Sequence, residues 1–276
     1  MAKSQSIALV AGGQVSRSFL VRLPHLRERI GPVKAVSIRV ASRIVNSIHA
    51  GHPVRDYKSI TDARVIAIQV PAERLAHTLE QMLATGANWR GKTVLLCDAE
   101  LSSAALESLS SAGASAASMA PIEGFDERRF VVEGDPSAVR VARMLVEDNH
   151  TRVVEITPGA KDLFLAGLVF ATSLFTPMAA AATECLKGAG LETGVATHVA
   201  ERLFEHSLRS YMKAGRKSWG GPLAAKDQQQ VQRNLEALFR ASPLLASYYT
   251  ESALFALHLF RQDTGWLPIA RAAATA

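Results

Sequence analysis

A chain of 276 residues, 48% apolar and 20% charged, is long enough for one large domain or two ordinary ones, and its composition excludes wholesale disorder. Two distant cysteines, Cys97 and Cys185, exclude a disulfide framework and a zinc spacing; they suit a reducing cytosol, so a cytoplasmic protein is expected. The net charge of +6 fits a phosphorylated cofactor or anionic substrate, but the cations are scattered apart from Lys213, Arg216 and Lys217, which argues against nucleic acid as a partner.

In chain order, "SIALVA" reads as a first strand, too short for the apolar run of a signal peptide. A glycine turn follows, then a helix-like stretch to about Arg29. "PVKAVSIRVA" predicts the second strand, and "SRIVNSIHAG" a helix ending on Gly51. "DARVIAIQVP" and "GKTVLLCDA" are further strands, separated by the helical "AERLAHTLEQMLATG". "SAALESLSSAG" reads as a helix and "ASAASMAP" as a weak strand. "RFVVEGD", "PSAVRVARMLVEDN" and "TRVVEIT" add a strand–helix–strand unit, with Pro136 as its first-turn proline. This alternation predicts a doubly wound parallel sheet over residues 1–157.

From Pro158 onward only helical patterns occur, so residues 158–276 form a second, all-α domain: 161–189, 193–214, 224–239 and 243–261. Within it, the uncharged run 163–183 has the length to span a bilayer, but contains Thr172, Ser173, Thr176 and Pro177. A buried central helix of a soluble domain is the expectation, with no membrane partner.

The candidate chemistry starts in the first turn. In "IALVAGGQVSRSF" the best register of a G-x-G-x-x-G fingerprint gives Ala11, Gly13 and Ser16. Gly13 keeps the position that lets a pyrophosphate approach backbone, and small residues replace the other two glycines. Gly12 adds backbone freedom. Gly12, Gly13, Gln14 and Val15 are thus expected to cradle the phosphates at a helix N-terminus. The expected end of the second strand reads "SIRVASR", without an acidic residue to hold the ribose hydroxyls of NAD. Ser42 and Arg43 there favour NADP, and Ser42 also suits the N-cap of the next helix. Neither the eight histidines nor any G-x-S-x-G elbow supports a metal site or a serine hydrolase.

The stretches "IALVAGGQVSRSF", "VASR", "VIAIQVPAERL", "VLLCDAELSSAALESL", "APIEGF", "FVVEGD", "KDLFLAGLVFATSLF" and "GGPLAAKDQQQVQRNLEAL" run in order from residue 7 to about 240. Together they resemble a bacterial family that joins a Rossmann-like domain to an all-helical domain of unknown function. That family is similar to ketopantoate reductases and pyrroline-5-carboxylate reductases. The resemblance implies a helical domain of the 6-phosphogluconate dehydrogenase C-terminal kind that builds a homodimer, and a cleft between the domains. It places Val70 and Pro71 beside a nicotinamide.

Departures from the family pattern fall where a proton would be handled. Asp98-Ala99 replaces a Ser-Gly pair, Ala120-Pro121 a His-Pro, Leu165 a His and Thr172-Ser173 a Ser-Asn pair. Lys161 and Ser173 remain as candidate catalytic residues, Lys161 as a fixed charge that polarises a carbonyl. Two expectations follow. One is an NADP-dependent oxidoreductase reducing a small carbonyl or imine substrate. The other is a catalytically degenerate relative that binds a nucleotide or small anion as a sensor, or serves as a dimeric partner protein.

Overall fold

The computed structural model describes residues 6–12, 23–122, 128–148 and 150–268. Eight strands form one sheet: β1 (Ile7–Ala11), β2 (Ile30–Lys34), β3 (His52–Val54), β4 (Val65–Gln69), β5 (Thr93–Leu96), β6 (Ser115–Pro121), β7 (Arg129–Gly134) and β8 (Arg152–Glu155). Their order is β3-β2-β1-β4-β5-β6-β7-β8. The runs IALVA, VIAIQ and TVLL are apolar on both faces because helices cover both sides of a parallel sheet.

Helix α1 (Ile38–Ile48) buries Ala41, Ile44 and Ile48, which recur at helical spacing, against one face together with Leu23 and Leu26. Helix α2 (Ala72–Leu83) buries Leu75, Leu79 and Met82 against the other, beside Leu106 and Leu109. Leu109 belongs to the short helix α3 (Glu107–Ser111). Helix α4 (Pro136–Val146) starts on Pro136 and makes the crossover from β7 to the parallel β8.

The structure departs from the expected elements in three places. Strand β2 ends at Lys34, seven residues before the end of "PVKAVSIRVA", and the helix begins at Ile38, four residues earlier than expected, with the Ser37 side chain accepting from the Val40 N–H at 3.3 Å. The helix wins because Ala41, Ile44 and Ile48 then share one buried face. Strand β6 runs antiparallel to β7, with Ala117 opposite Gly134 and Pro121 opposite Phe130. Only residues 122–128 join the two strands, too few for the crossover that a parallel neighbour needs. Gly51 does not end the helix, since His49 takes the left-handed cap (φ 53). Gly51 (φ +74) instead lies against β2, where a Cβ would come within 2.4 Å of the Gly31 carbonyl oxygen. That approach sets up the edge strand β3.

The chain divides into two compact units between Leu168 and Val169. The first extends beyond its last strand because helix α5 (Lys161–Ala171) packs Phe164 and Leu168 on Ala120, Ile122 and Val131. The second unit contains α6 (Phe175–Gly188), α7 (Thr193–Ala214), the short α8 (Gly221–Ala224), α9 (Gln228–Ala241) and α10 (Pro243–Leu259). Its core gathers Val231, Leu235, Leu257 and Leu267. The expected single helix over 161–189 is broken at residues 172–174, and its apolar residues are not buried: Phe170 is 58% exposed, with Leu174, Phe175 and Met178 also exposed.

Candidate functional site

Parallel strands leave a crevice outside their C-terminal ends where the strand order reverses, here between β1 and its neighbours β2 and β4. A cavity of about 1120 Å³ occupies this place. Val10, Ala11 and Gly12 from β1, Lys34 and Ala35 from β2, and Val70 and Pro71 after β4 line its sheet side. Val40, Arg43 and Ile44 of α1 form one wall, and Arg74, His77 and Thr78 of α2 another. The segment 55–58 after β3 closes the third side.

The lining holds five permanent or near-permanent cations, Lys34, Arg43, Arg55, Lys58 and Arg74, against the carboxylates of Asp56 and Glu73. Lys34 differs from the others because it is 7% exposed. Its ammonium donates to the Ala35 carbonyl and lies 4.5 Å from the centre of the Tyr57 ring. Burial pulls it below the ordinary lysine range, and Asp56 partly opposes this. Asp56 accepts from the Ser59 N–H at 2.8 Å and the Ser59 hydroxyl at 2.7 Å, which holds its carboxyl below its usual range. Burial raises the Tyr57 phenol, while a hydrogen bond with Thr78 acts the other way.

Of the residues expected at a cofactor, Gly12, Arg43, Val70 and Pro71 come together in this cavity. The Gly12 N–H donates to the Gln69 carbonyl at 2.8 Å. A Cβ on Gly12 would meet Pro71 Cδ at 3.1 Å, so β1 packs closely against the Val70–Pro71 turn at this position. Gly13, Gln14 and Val15 lie outside the described residues. Ser42 is corrected: it sits inside α1, its hydroxyl donates back to the Ile38 carbonyl at 2.9 Å, and Ser37 is the cap. Arg43 reaches the cavity from the helix rather than from the strand end.

The two catalytic candidates are placed elsewhere. Lys161 is 1% exposed, and its ammonium donates to the Asp98 carbonyl (2.6 Å), the Leu101 carbonyl (2.7 Å) and the Ser118 hydroxyl (2.6 Å). Three acceptors take all three protons, so the expected substrate-facing charge is turned into the protein. Burial lowers its pKa, opposed chiefly by Asp98 and Glu133. Ser173 is exposed in the turn between α5 and α6, in the second unit.

Sequence reasoning missed Lys34, Arg55, Tyr57, Lys58 and Arg74. A lone lysine inside the apolar run "PVKAV" was the available signal for Lys34. The others become neighbours only through the fold. The donor set suits a phosphorylated ligand: cations from β2, α1, α2 and the segment 55–58 surround a partly apolar cavity, and charge-assisted bonds to phosphate are the strong ones.

Residues 129–254 match the model of a domain of unknown function, DUF2520. No curated protein matches the chain in sequence. Among solved structures, a variant imine reductase from Myxococcus stipitatus in complex with NAD+ is similar at a TM-score of 0.67 and 13% identity, covering 92% of this chain and 94% of that one. The imine reductase from the same organism in complex with NADP+ gives 0.61 and 13%, with the same coverage. A pyrroline-5-carboxylate reductase from Coxiella burnetii gives 0.50 and 15%, covering 90% and 98%. At these identities what is shared is the fold. The chain thus combines a segment similar to DUF2520, which begins at β7 within the sheet, with a fold shared with these solved reductases.

Proposed function

We propose that this protein binds NADP in the cavity at the ends of β1, β2 and β4 and acts as an oxidoreductase on a small carbonyl or imine. The observation that carries the reading is the cationic lining at the strand-order reversal. Solved structures of the same fold that hold NAD+ or NADP+ support it. Arg43, Lys34 and the cations of segment 55–58 would hold the adenosine end, residues 12–15 the pyrophosphate, and Val70–Pro71 the nicotinamide end. A bound NADPH supplies a hydride. The chain's own part is to bind, to orient and to keep water from the apolar Val70–Pro71 turn.

The test is a calorimetric titration of the purified chain with NADPH, with NADH and ADP as comparators. Micromolar NADPH binding, weakened about two- to threefold by Arg43→Ala as expected for an exposed ion pair, supports the reading. Absence of binding at millimolar nucleotide overturns it.

One observation favours a second reading, a nucleotide-binding sensor or partner protein without catalysis. The buried Lys161 has no donor left for a substrate. Consumption of NADPH across a panel of carbonyls and imines separates the two readings, because a sensor binds without turnover.

A homodimer through the helical unit is part of the proposal. The exposed apolar residues of α6 and α7 support a second copy as the occupant. Two free cysteines agree with a reducing cytoplasm.

A further inference from the structure

We infer that Lys34, rather than Arg43, discriminates a ligand with a 2′-phosphate on its adenosine ribose from one without. This rests on the dinucleotide reading of the cavity and goes further in naming the deciding residue. The argument begins with burial. Arg43, Arg55, Lys58 and Arg74 are exposed, where water and salt screen their charge. Lys34 alone among the cavity cations is more than nine-tenths buried.

Its place in the sheet fixes where that charge acts. Lys34 is the last residue of β2, paired with Val10 of β1, at the strand end where an NAD-selecting carboxylate would stand. Its neighbours Val33 and Ala35 pack on the α1 side of the sheet. Lys34 therefore faces the opposite side, towards Tyr57 and the cavity.

The buried ammonium is also under-satisfied by its neighbours. It can donate three hydrogen bonds, and its partners among the described residues are one carbonyl and one ring face. Asp56, the nearest opposing charge, is turned to the Ser59 N–H and hydroxyl. A dianionic phosphate supplies the acceptors and the charge that the site lacks.

The test is calorimetry on the full chain with 2′,5′-ADP and 5′-AMP, which differ by one phosphate, with NADPH and NADH titrated in parallel. The wild type is expected to prefer 2′,5′-ADP by at least about tenfold. Lys34→Met should bring that preference to within about twofold, while Arg43→Ala leaves most of it. Asp56→Asn, on the exposed rim, should strengthen 2′,5′-ADP binding about threefold and leave 5′-AMP unchanged.

A folded Lys34→Met protein that keeps the preference overturns the inference, as does an Arg43→Ala protein that loses all of it. If circular dichroism finds Lys34→Met unfolded, Asp56→Asn decides, and an unchanged 2′,5′-ADP affinity counts against the inference. Equal wild-type binding of the two probes removes the inference but leaves the dinucleotide reading standing. No wild-type binding of either probe or of NADPH and NADH removes both.

Discussion

Two opposite charges lie almost wholly inside the first unit. Glu133 is 1% exposed and accepts from the Ser103 N–H at 2.5 Å, the Ser103 hydroxyl at 2.8 Å and the Gly159 N–H at 3.0 Å. Lys161, two residues beyond Gly159, answers it with three donated bonds to residues 98, 101 and 118. Between them they fasten the segment after β5 to β6, to β7 and to the start of α5. Removing one partner leaves a buried charge and several acceptors without compensation. Lys161→Met is therefore expected to lower stability by about 3 kcal/mol or more. Urea denaturation followed by circular dichroism measures this, and a loss below about 1 kcal/mol would show that the network carries little.

Among the elements, the turn into β3 depends on one missing side chain. Gly51 combines a left-handed backbone with so little space that an added Cβ would lie 2.4 Å from the Gly31 oxygen, whereas at Gly86, with the same sign of φ (+67), an added Cβ would meet nothing within 4 Å. Gly86→Ala meets only the conformational penalty, about 1 kcal/mol. Gly51→Ala must in addition push β3 away from β2, and about twice that loss or more is expected. Thermal melts of the two variants give the comparison, and equal losses would dismiss the close approach as a constraint.

The same elements mark how far the sequence could be read. The apolar runs of β4 and β5, the Pro136 helix start and helix Thr193–Ala214 were legible because one period fits each of them. The boundary between β2 and α1 was not, since "VKAVSIRVA" satisfies both a strand and a helix pattern until a sheet face chooses between them. The three-residue β3 carries too little pattern to find. At the site, Gly12 was readable from its position after a strand, whereas Val70 and Pro71 came only through the family resemblance. Arg55, Lys58 and Arg74 have no common spacing, and topology alone assembles them around Lys34.

For the molecule as a whole, the helical unit has a small core and wide apolar faces. On α7, Leu208 and Met212 are four residues apart, on one face, and 63% and 76% exposed. A second copy covering this face would keep the protein at about twice its 29.6 kDa chain mass. Light scattering is expected to give that value for the wild type, and about the single-chain mass for Leu208→Glu/Met212→Glu. A wild-type protein of single-chain mass at micromolar concentration would exclude the homodimer.

The reversal of direction between β6 and β7 bears on which segment can fold by itself. The DUF2520 match opens at Arg129, the first residue of β7, and ends within α10. A cut there would part β7 from its antiparallel neighbour and expose a row of unpaired backbone groups on both new edges. It would also take Glu133 and Lys161 away from the residues they bind. The matched segment is thus not a folding unit by itself, and it cannot be moved to another protein without the β6 edge that completes it.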